Sequence, residues 1–394
     1  MKLLFILCLP VLILSGSIEW KKVDSLFGGI ESYTMSLISV DGFIHVLSQI
    51  NTKNLYREIR YTKILQDGTV TSQQTISGNY SAVIAAGELS AKISEDGKHL
   101  VVAYNAYRVN IDRECNIRST DSCMEIFFTE SLDGGESWTK PIRMNRPDMN
   151  DIVDRLQPAI LLEDTGRVYL MYSLNYSFII SIRQPGAKDF ENERTLIDTH
   201  DSGYKYLGQS IENSKRYIHL IWKPYTTAYT VKYMRTSDDG KTWSTPITLA
   251  ETDYADLLSP VRVTKEGKIF FQYFKGIDIK IIWSKDHGNT WEDPIRIGSD
   301  DGNNNALDIC GKDNKERIFS FNVKRLFGSG YLRYLTPGDK NHHDLKYPFH
   351  NFKEVESVHL SCIHNQKGQY IVFPILKEKD QEPIYFAYGI ATDL

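Results

Sequence analysis

Three carboxylates stand in the same local setting. Asp133 lies in SLDGGESW (131–138), Asp238 in TSDDGKTW (236–243) and Asp286 in SKDHGNTW (284–291), and each octet is followed within four residues by Pro-Ile. A carboxylate repeated in this way could serve as a general base or a metal ligand, but it could equally close a turn. Its neighbours favour the turn. The carboxylate can accept from successive turn amides, the glycine two residues on takes dihedrals that other residues resist, and the Trp ring fills space beneath. Every conserved part of [S/T]-x-D-x-G-x-[S/T]-W is thereby used in folding. Ser131, Asp133, Gly135, Trp138, Asp238, Gly240, Trp243, Ser284, Asp286, Gly288 and Trp291 are accordingly read as structural. Other chemistry has less support. His342 and His343 are adjacent, without metal-site spacing, and read as a solvated loop; nucleophile-elbow and phosphate-loop patterns are absent. No metal and no cofactor are expected.

The elements that position these octets follow from their spacing. Asp238 and Asp286 are 48 residues apart, and Asp133 precedes Asp238 by 105, close to two such steps. A period near fifty points to a propeller or solenoid. Apolar or alternating runs lie just before each octet, and a further run lies upstream: GFIHVLSQ from Gly42, KHLVVAY from Lys98, RVYLMYS from Arg167, RYIHLIW from Arg216, KIFFQYF from Lys268, RIFSFNV from Arg317 and YIVFPIL from Tyr370. Seven units of strand, turn, strand, octet and strand result. The spacing predicts an all-β propeller of four-stranded antiparallel blades, with seven blades favoured and six as the alternative. The last unit lacks a strand, and the N-terminal segment from about Ile18 to Val23 is expected to pair near Tyr385–Tyr388 and close the ring.

Composition limits the function. A formal charge of −4, with no Lys/Arg cluster, argues against a nucleic-acid or polybasic membrane surface. One Lys, a twelve-residue apolar run (Leu3–Leu14) and then Ser15-Gly16-Ser17 read as a secretory signal over residues 1–17. That leaves 18–394 as one propeller domain with no transmembrane segment in the mature chain, expected to be secreted and monomeric. Four cysteines remain in an oxidising compartment, for which three pairings exist. Cys115 and Cys123 flank a short polar loop, and Cys310 and Cys362 precede the aligned strands of neighbouring units, so the expected bridges are 115–123 and 310–362. Asn79 and Asn175 begin Asn-Tyr-Ser sequons for glycosylation.

The octets resemble the Asp-box (BNR) repeats of the sialidase superfamily and its secreted propeller relatives. Three units carry the specific motif, while the strand repeat covers nearly the whole mature chain. The resemblance implies an Arg cluster for a substrate carboxylate, a Tyr nucleophile activated by Glu, and an acid Asp. The family's first Arg belongs to an Arg-Ile-Pro motif, but ESYTMSLISVDG offers Thr34, Met35 and Ser36 there, and the next loop, SQINTKNLYREI, has no Asp. Two fragments match better. In DYADLLSPVRV, Tyr254 resembles the nucleophile, with Asp256 its neighbour, and DRLQPAIL puts Arg155 before an innermost strand as a ligand-facing cation. The unit before Tyr254 offers only Glu212, placed in a turn, so Tyr254 has no evident Glu partner. The resulting expectation is a sialidase-like propeller that recognises a glycan or an extracellular protein with degenerate catalytic residues; the alternative is an exo-sialidase or related glycoside hydrolase.

Overall fold

The computed structural model describes residues 18–23, 31–51, 57–77, 81–82, 89–108, 124–144, 158–174, 177–191, 194–197, 203–224, 230–252, 261–276, 278–299, 304–310, 317–323, 330–336, 343–345, 355–364, 369–378 and 385–391. The described elements are all β. They form seven antiparallel sheets, and within five of them the strand order follows the chain without a break. Sheet 1 begins with Glu31–Ile38, sheet 2 with Leu89–Ile93, sheet 3 with Ala159–Leu162, sheet 4 with Gly203–Glu212, sheet 5 with Arg262–Val263, sheet 6 with Asn304–Cys310 and sheet 7 with Val355–His364. Sheets 1 and 3 to 7 have four strands; sheet 2 has a fifth because Ser81–Ala82 also pairs with its second strand, a local departure from the four-stranded repeat.

The seven apolar runs that set the repeat are the second strands of these sheets, such as Ile44–Asn51 and Lys215–Pro224. A second strand is covered on both faces, which is why it reads as a continuous apolar run rather than an alternation. Leu100–Arg108 shows how. Leu100, Val102, Tyr104 and Ala106 pack towards sheet 1, while Val101 and Ala103 pack towards sheet 3. The outer strands are wetter; in Val70–Thr75 no residue is buried and Val70, Thr71, Gln73 and Thr75 are exposed.

Seven hydrophobic clusters each join two consecutive sheets, and the series returns from sheet 7 to sheet 1 through Ile371, Phe373 and Ile375 against Ile44, Val46 and Ile50. The arrangement is a propeller. First strands of neighbouring sheets touch one another and so surround the axis. Sheet 7 takes its outer strand from the start of the chain: Ile18–Val23 pairs antiparallel with Tyr385–Ala391, Ile18 opposite Ala391 and Val23 opposite Phe386.

Each octet joins the third strand of its sheet to the fourth. Asp133 Oδ1 accepts from the Ser131 hydroxyl (2.8 Å) and the Ser137 amide (2.9 Å), and Ser131 Oγ in turn accepts from the Gly135 amide (2.8 Å). Asp238 and Asp286 make the same bonds with Thr236 and Thr242, and with Ser284 and Thr290. The Ser137 hydroxyl and amide hold the Asp133 carboxyl down to about 2. These carboxylates are committed to their turns.

The octet also engages the preceding sheet. Trp138 packs on Tyr61 of sheet 1 (ring centroids 5.0 Å) and Trp291 on Tyr233 of sheet 4 (5.1 Å). A Cβ on Gly135 would lie 1.8 Å from Tyr61 Oη, and one on Gly288 1.9 Å from Tyr233 Oη; both glycines have positive φ. Each Tyr hydroxyl is bonded to a buried histidine of its own sheet, Tyr61 to His45 Nδ1 (2.8 Å) and Tyr233 to His219 Nδ1 (2.9 Å). Burial, with nearby Lys63, pushes His45 down to about 4; burial, with Arg235, pushes His219 down to about 3. Both rings are neutral at physiological pH.

Candidate functional site on the ring axis

The two ends of the ring differ. Turns from first to second strands share one end with the octets, and the Gly134 amide donates to Lys98 O of such a turn at 2.8 Å. On the axis at this end, Lys265 of sheet 5 reaches Glu95 of sheet 2 (2.8 Å) and Asp164 of sheet 3 (2.7 Å). The ion pairs draw three turns together across the centre.

Just inside that end, the first strands bring a polar cluster together. Arg262 of sheet 5 donates through Nε to Asp308 Oδ1 of sheet 6, and Asp308 Oδ2 accepts from the Cys362 amide of sheet 7 at 2.8 Å. Ser36 of sheet 1 shares hydrogen bonds with Ser361 Oγ (2.6 Å) and His359 Nδ1 (3.4 Å) of sheet 7. Lys92 of sheet 2 lies within electrostatic reach of Arg262 and Asp308, as does His359. Burial and the Arg262 charge push Lys92 down to about 8 and His359 down to about 4. The Cys310–Cys362 disulfide, with Cα atoms 5.7 Å apart, ties sheets 6 and 7 beside this cluster. Closing its 52-residue loop restricts the unfolded chain, worth roughly 4 kcal/mol in the chain-entropy account.

The cluster's chemistry is electrostatic. Asp308 accepts from a guanidinium and an amide, one on each oxygen. At neutral pH Lys92 is mostly charged while His359 is not, so among the described residues of this cluster Lys92 is a cation beside the Arg262–Asp308 pair, and it could meet an anionic ligand group. Among the described residues no group of three or more His, Cys, Asp or Glu could hold a metal ion.

Sequence-derived site residues fall in several places. Tyr254, Asp256 and Arg155 lie outside the described residues, as do Asn79, Asn175, Cys115, Cys123 and the segment 1–17. Thr34 stands on the first strand of sheet 1, opposite Ser48. Glu212 requires a correction: it ends the first strand of sheet 4, ahead of the Asn213-Ser214 turn, and accepts from the Tyr217 hydroxyl at 3.2 Å. His343 is also corrected, from a loop to an exposed edge strand, stacked on Tyr334 at 4.8 Å. The axial residues Lys92, Arg262, Asp308 and His359 escaped notice in the sequence, although Lys92 and Arg262 each stand five positions before a turn glycine, Gly97 or Gly267.

No protein-family model matches the chain, and no curated protein matches it. Solved structures do. An ulvan lyase of polysaccharide lyase family PL25, solved bound to -[GlcA(1-4)Rha3S]-, superimposes with a TM-score of 0.58 at 11% identity, covering 93% of this chain and 95% of that one. AofleA from Arthrobotrys oligospora gives 0.52 at 10% identity, over 84% and 90%. The NanB sialidase from Streptococcus pneumoniae gives 0.45 at 12% identity, over 94% and 69%. The likeness is one of fold. No described helix is long and apolar enough to cross a membrane.

Proposed function

We propose that residues 18–394 form one secreted, seven-bladed propeller that recognises an acidic glycan at its axis and has lost efficient sialoside hydrolysis. The observation that carries this reading is Lys92, which stands beside the Arg262–Asp308 pair on the axis, next to a first strand of sheet 1 that carries Thr34 and Ser36 rather than an arginine. A sialidase clamp depends on bidentate Arg contacts, for which Thr34 is no substitute. The fold shared with a lyase solved on an acidic oligosaccharide supports the ligand class.

An array of acidic and neutral glycans probed with the secreted protein tests it. Binding should favour acidic glycans, and Lys92→Met should weaken that binding at least tenfold; equal retention of neutral glycans would overturn the reading. The sialidase-like segment around Tyr254 supports the second reading, an exo-sialidase or related glycoside hydrolase. A phenol with an ordinary pKa of about 10 needs a base to act as nucleophile. A fluorogenic sialoside should therefore be turned over little or not at all, and brisk turnover abolished by Tyr254→Phe would establish the enzyme.

A further inference from the structure

Sheet 3 has no octet between its third and fourth strands; Gln184-Pro185-Gly186-Ala187-Lys188-Asp189 stands there instead. Where an octet is present, the preceding sheet binds its turn. Gln74 Nε2 of sheet 1 donates to Gly135 O at 3.1 Å and to Glu136 O at 2.8 Å, and Arg235 of sheet 4 donates to His287 O and Asn289 Oδ1. The turn of sheet 3 is closed on itself instead, Gln184 Nε2 donating to Glu191 and the Ala187 amide to Gln184 O. Glu130, at the register position of Lys63 and Arg235, holds Arg183 rather than the turn. A crevice of about 420 Å³ is left between sheets 2 and 3 at the octet end. That volume is within the usual range for small-ligand pockets, about 300–1,000 Å³.

Its two walls are unlike. Sheet 3 contributes Gly166, Gly186 and Ala187, and a Cβ on either glycine would meet nothing within 4 Å. Sheet 2 contributes Leu132 and Ile142, 66% and 39% exposed, two of only five large hydrophobic residues exposed among those described. Leu132 is the second residue of its octet, a position held by Ser237 and Lys285 in the other two. A nearly bare wall thus faces an apolar one, and a planar ring covers both at once.

The floor is polar, but its charges are matched. Arg183 lies over the Phe128 ring at 4.9 Å and donates through Nη1 and Nη2 to the two oxygens of Glu130. At the rim Lys140 has a partner of its own and Lys188 is a solvated surface charge, so charge does not select the ligand. His99 does. Its Nε2 lies 2.8 Å from Glu130 Oε2, and a carboxylate only accepts, so Nε2 carries a proton. In the uncharged ring Nδ1 is then a lone-pair acceptor, and among the described residues no donor is bonded to it.

We propose that this crevice binds a neutral aromatic ring bearing a hydrogen-bond donor, a phenol or an indole, with the ring between the two walls and the donor on His99 Nδ1. The site lies between two blades, away from the axis, and is independent of the glycan reading.

Ligand-observed NMR titration of the whole protein tests the proposal. 4-Methylphenol and indole should bind with a Kd on the order of 1 mM, as expected for ligands so small. 4-Methylanisole, whose oxygen carries no proton, should be at least fivefold weaker, the worth of about one hydrogen bond. 4-Methylbenzoate should gain nothing over 4-methylphenol. His99→Phe installs the residue that precedes the second strand of sheet 1, Phe43. It should bring 4-methylphenol down to the level of 4-methylanisole and leave the latter unchanged. Leu132→Ser should weaken both at least threefold, and Ala187→Trp should abolish binding. N-acetyltyrosinamide binding as tightly as 4-methylphenol would put the ring on a protein chain, and weaker binding would make it a free small molecule; both results support the site. Four outcomes would overturn it: no binding of 4-methylphenol or indole, equal affinity for 4-methylphenol and 4-methylanisole, a preference for 4-methylbenzoate, or 4-methylphenol binding unchanged in both Leu132→Ser and Ala187→Trp.

Discussion

The interfaces between sheets 1 and 2 and between sheets 4 and 5 are built in two halves, whereas the one between sheets 2 and 3 lacks a half. In the first two, the leading sheet offers a buried His-Tyr pair and the following sheet inserts the glycine and Trp of its octet. Between sheets 2 and 3 there is no octet to insert. Phe190 reaches Phe128 edge-on at 5.1 Å; Phe128 and Val101 stand at the register positions of Tyr233 and His219, and Glu130, at the position of Arg235, pairs with Arg183 of sheet 3. The same fold position can thus be plugged by an aromatic lock or left with a charged floor open to solvent. The octet is one half of a joint between neighbours, and its absence is felt by the preceding blade as much as by its own.

That contrast can be broken in order of expected effect. Trp291→Ala should be the most damaging, destabilising by about 3 kcal/mol in denaturant titration, because it empties the space against Tyr233 and Phe271. Gly135→Ala comes next, at about 2–3 kcal/mol, since the new methyl meets both a positive φ and the Tyr61 hydroxyl. Tyr61→Phe and Tyr233→Phe should each cost about 1 kcal/mol, the worth of a buried hydrogen bond to a neutral histidine. Phe190→Leu at the unplugged interface should cost least, under about 1.5 kcal/mol and less than Trp291→Ala in the same assay.

Acid should sharpen the difference. His45 and His219 are held neutral in the fold, at about 4 and about 3, below the ordinary histidine value near 6.5. Protons therefore bind the unfolded chain more readily as pH falls. The stability these rings contribute is complete above about pH 6.5 and is lost as pH drops towards 4 and below. His359 on the axis, at about 4, acts in the same direction. The midpoint of urea unfolding should fall across that range, and His45→Gln should flatten the fall; a midpoint independent of pH between 6.5 and 4 would contradict the buried neutral rings.

Much of the scaffold was legible in the sequence because it is repeated. Seven apolar runs are all second strands, the octets sit where a strand-turn-strand reading puts them, Cys310 meets Cys362, and Ile18–Val23 completes the final sheet. The joints between repeats were harder to see. His45 and His219 both follow an isoleucine in their strands, IHVL and IHLI, but nothing local says that each supports a Tyr which receives a turn from the next unit. The axial group was hidden for a related reason. Lys92, Arg262, Asp308 and His359 come from four sheets spread over more than 260 residues, and only ring closure makes them neighbours. Glu212 looked like a turn residue because Asn-Ser-Lys follows it, yet the first strand of sheet 4 runs on to include it.

The pairing of Ile18–Val23 with Tyr385–Ala391 has a consequence for how the protein is made. A chain synthesised from its N-terminus must hold that first strand without its partner while every intervening sheet is translated, and an unpaired strand edge is open to wrong partners. Sheets 1 to 6 can assemble in turn behind the ribosome, but the ring can lock only when the chain's last strands have emerged. A chain cut anywhere before Tyr385 would therefore leave Ile18–Val23 without the strand it pairs with, an open edge at the seam of the ring.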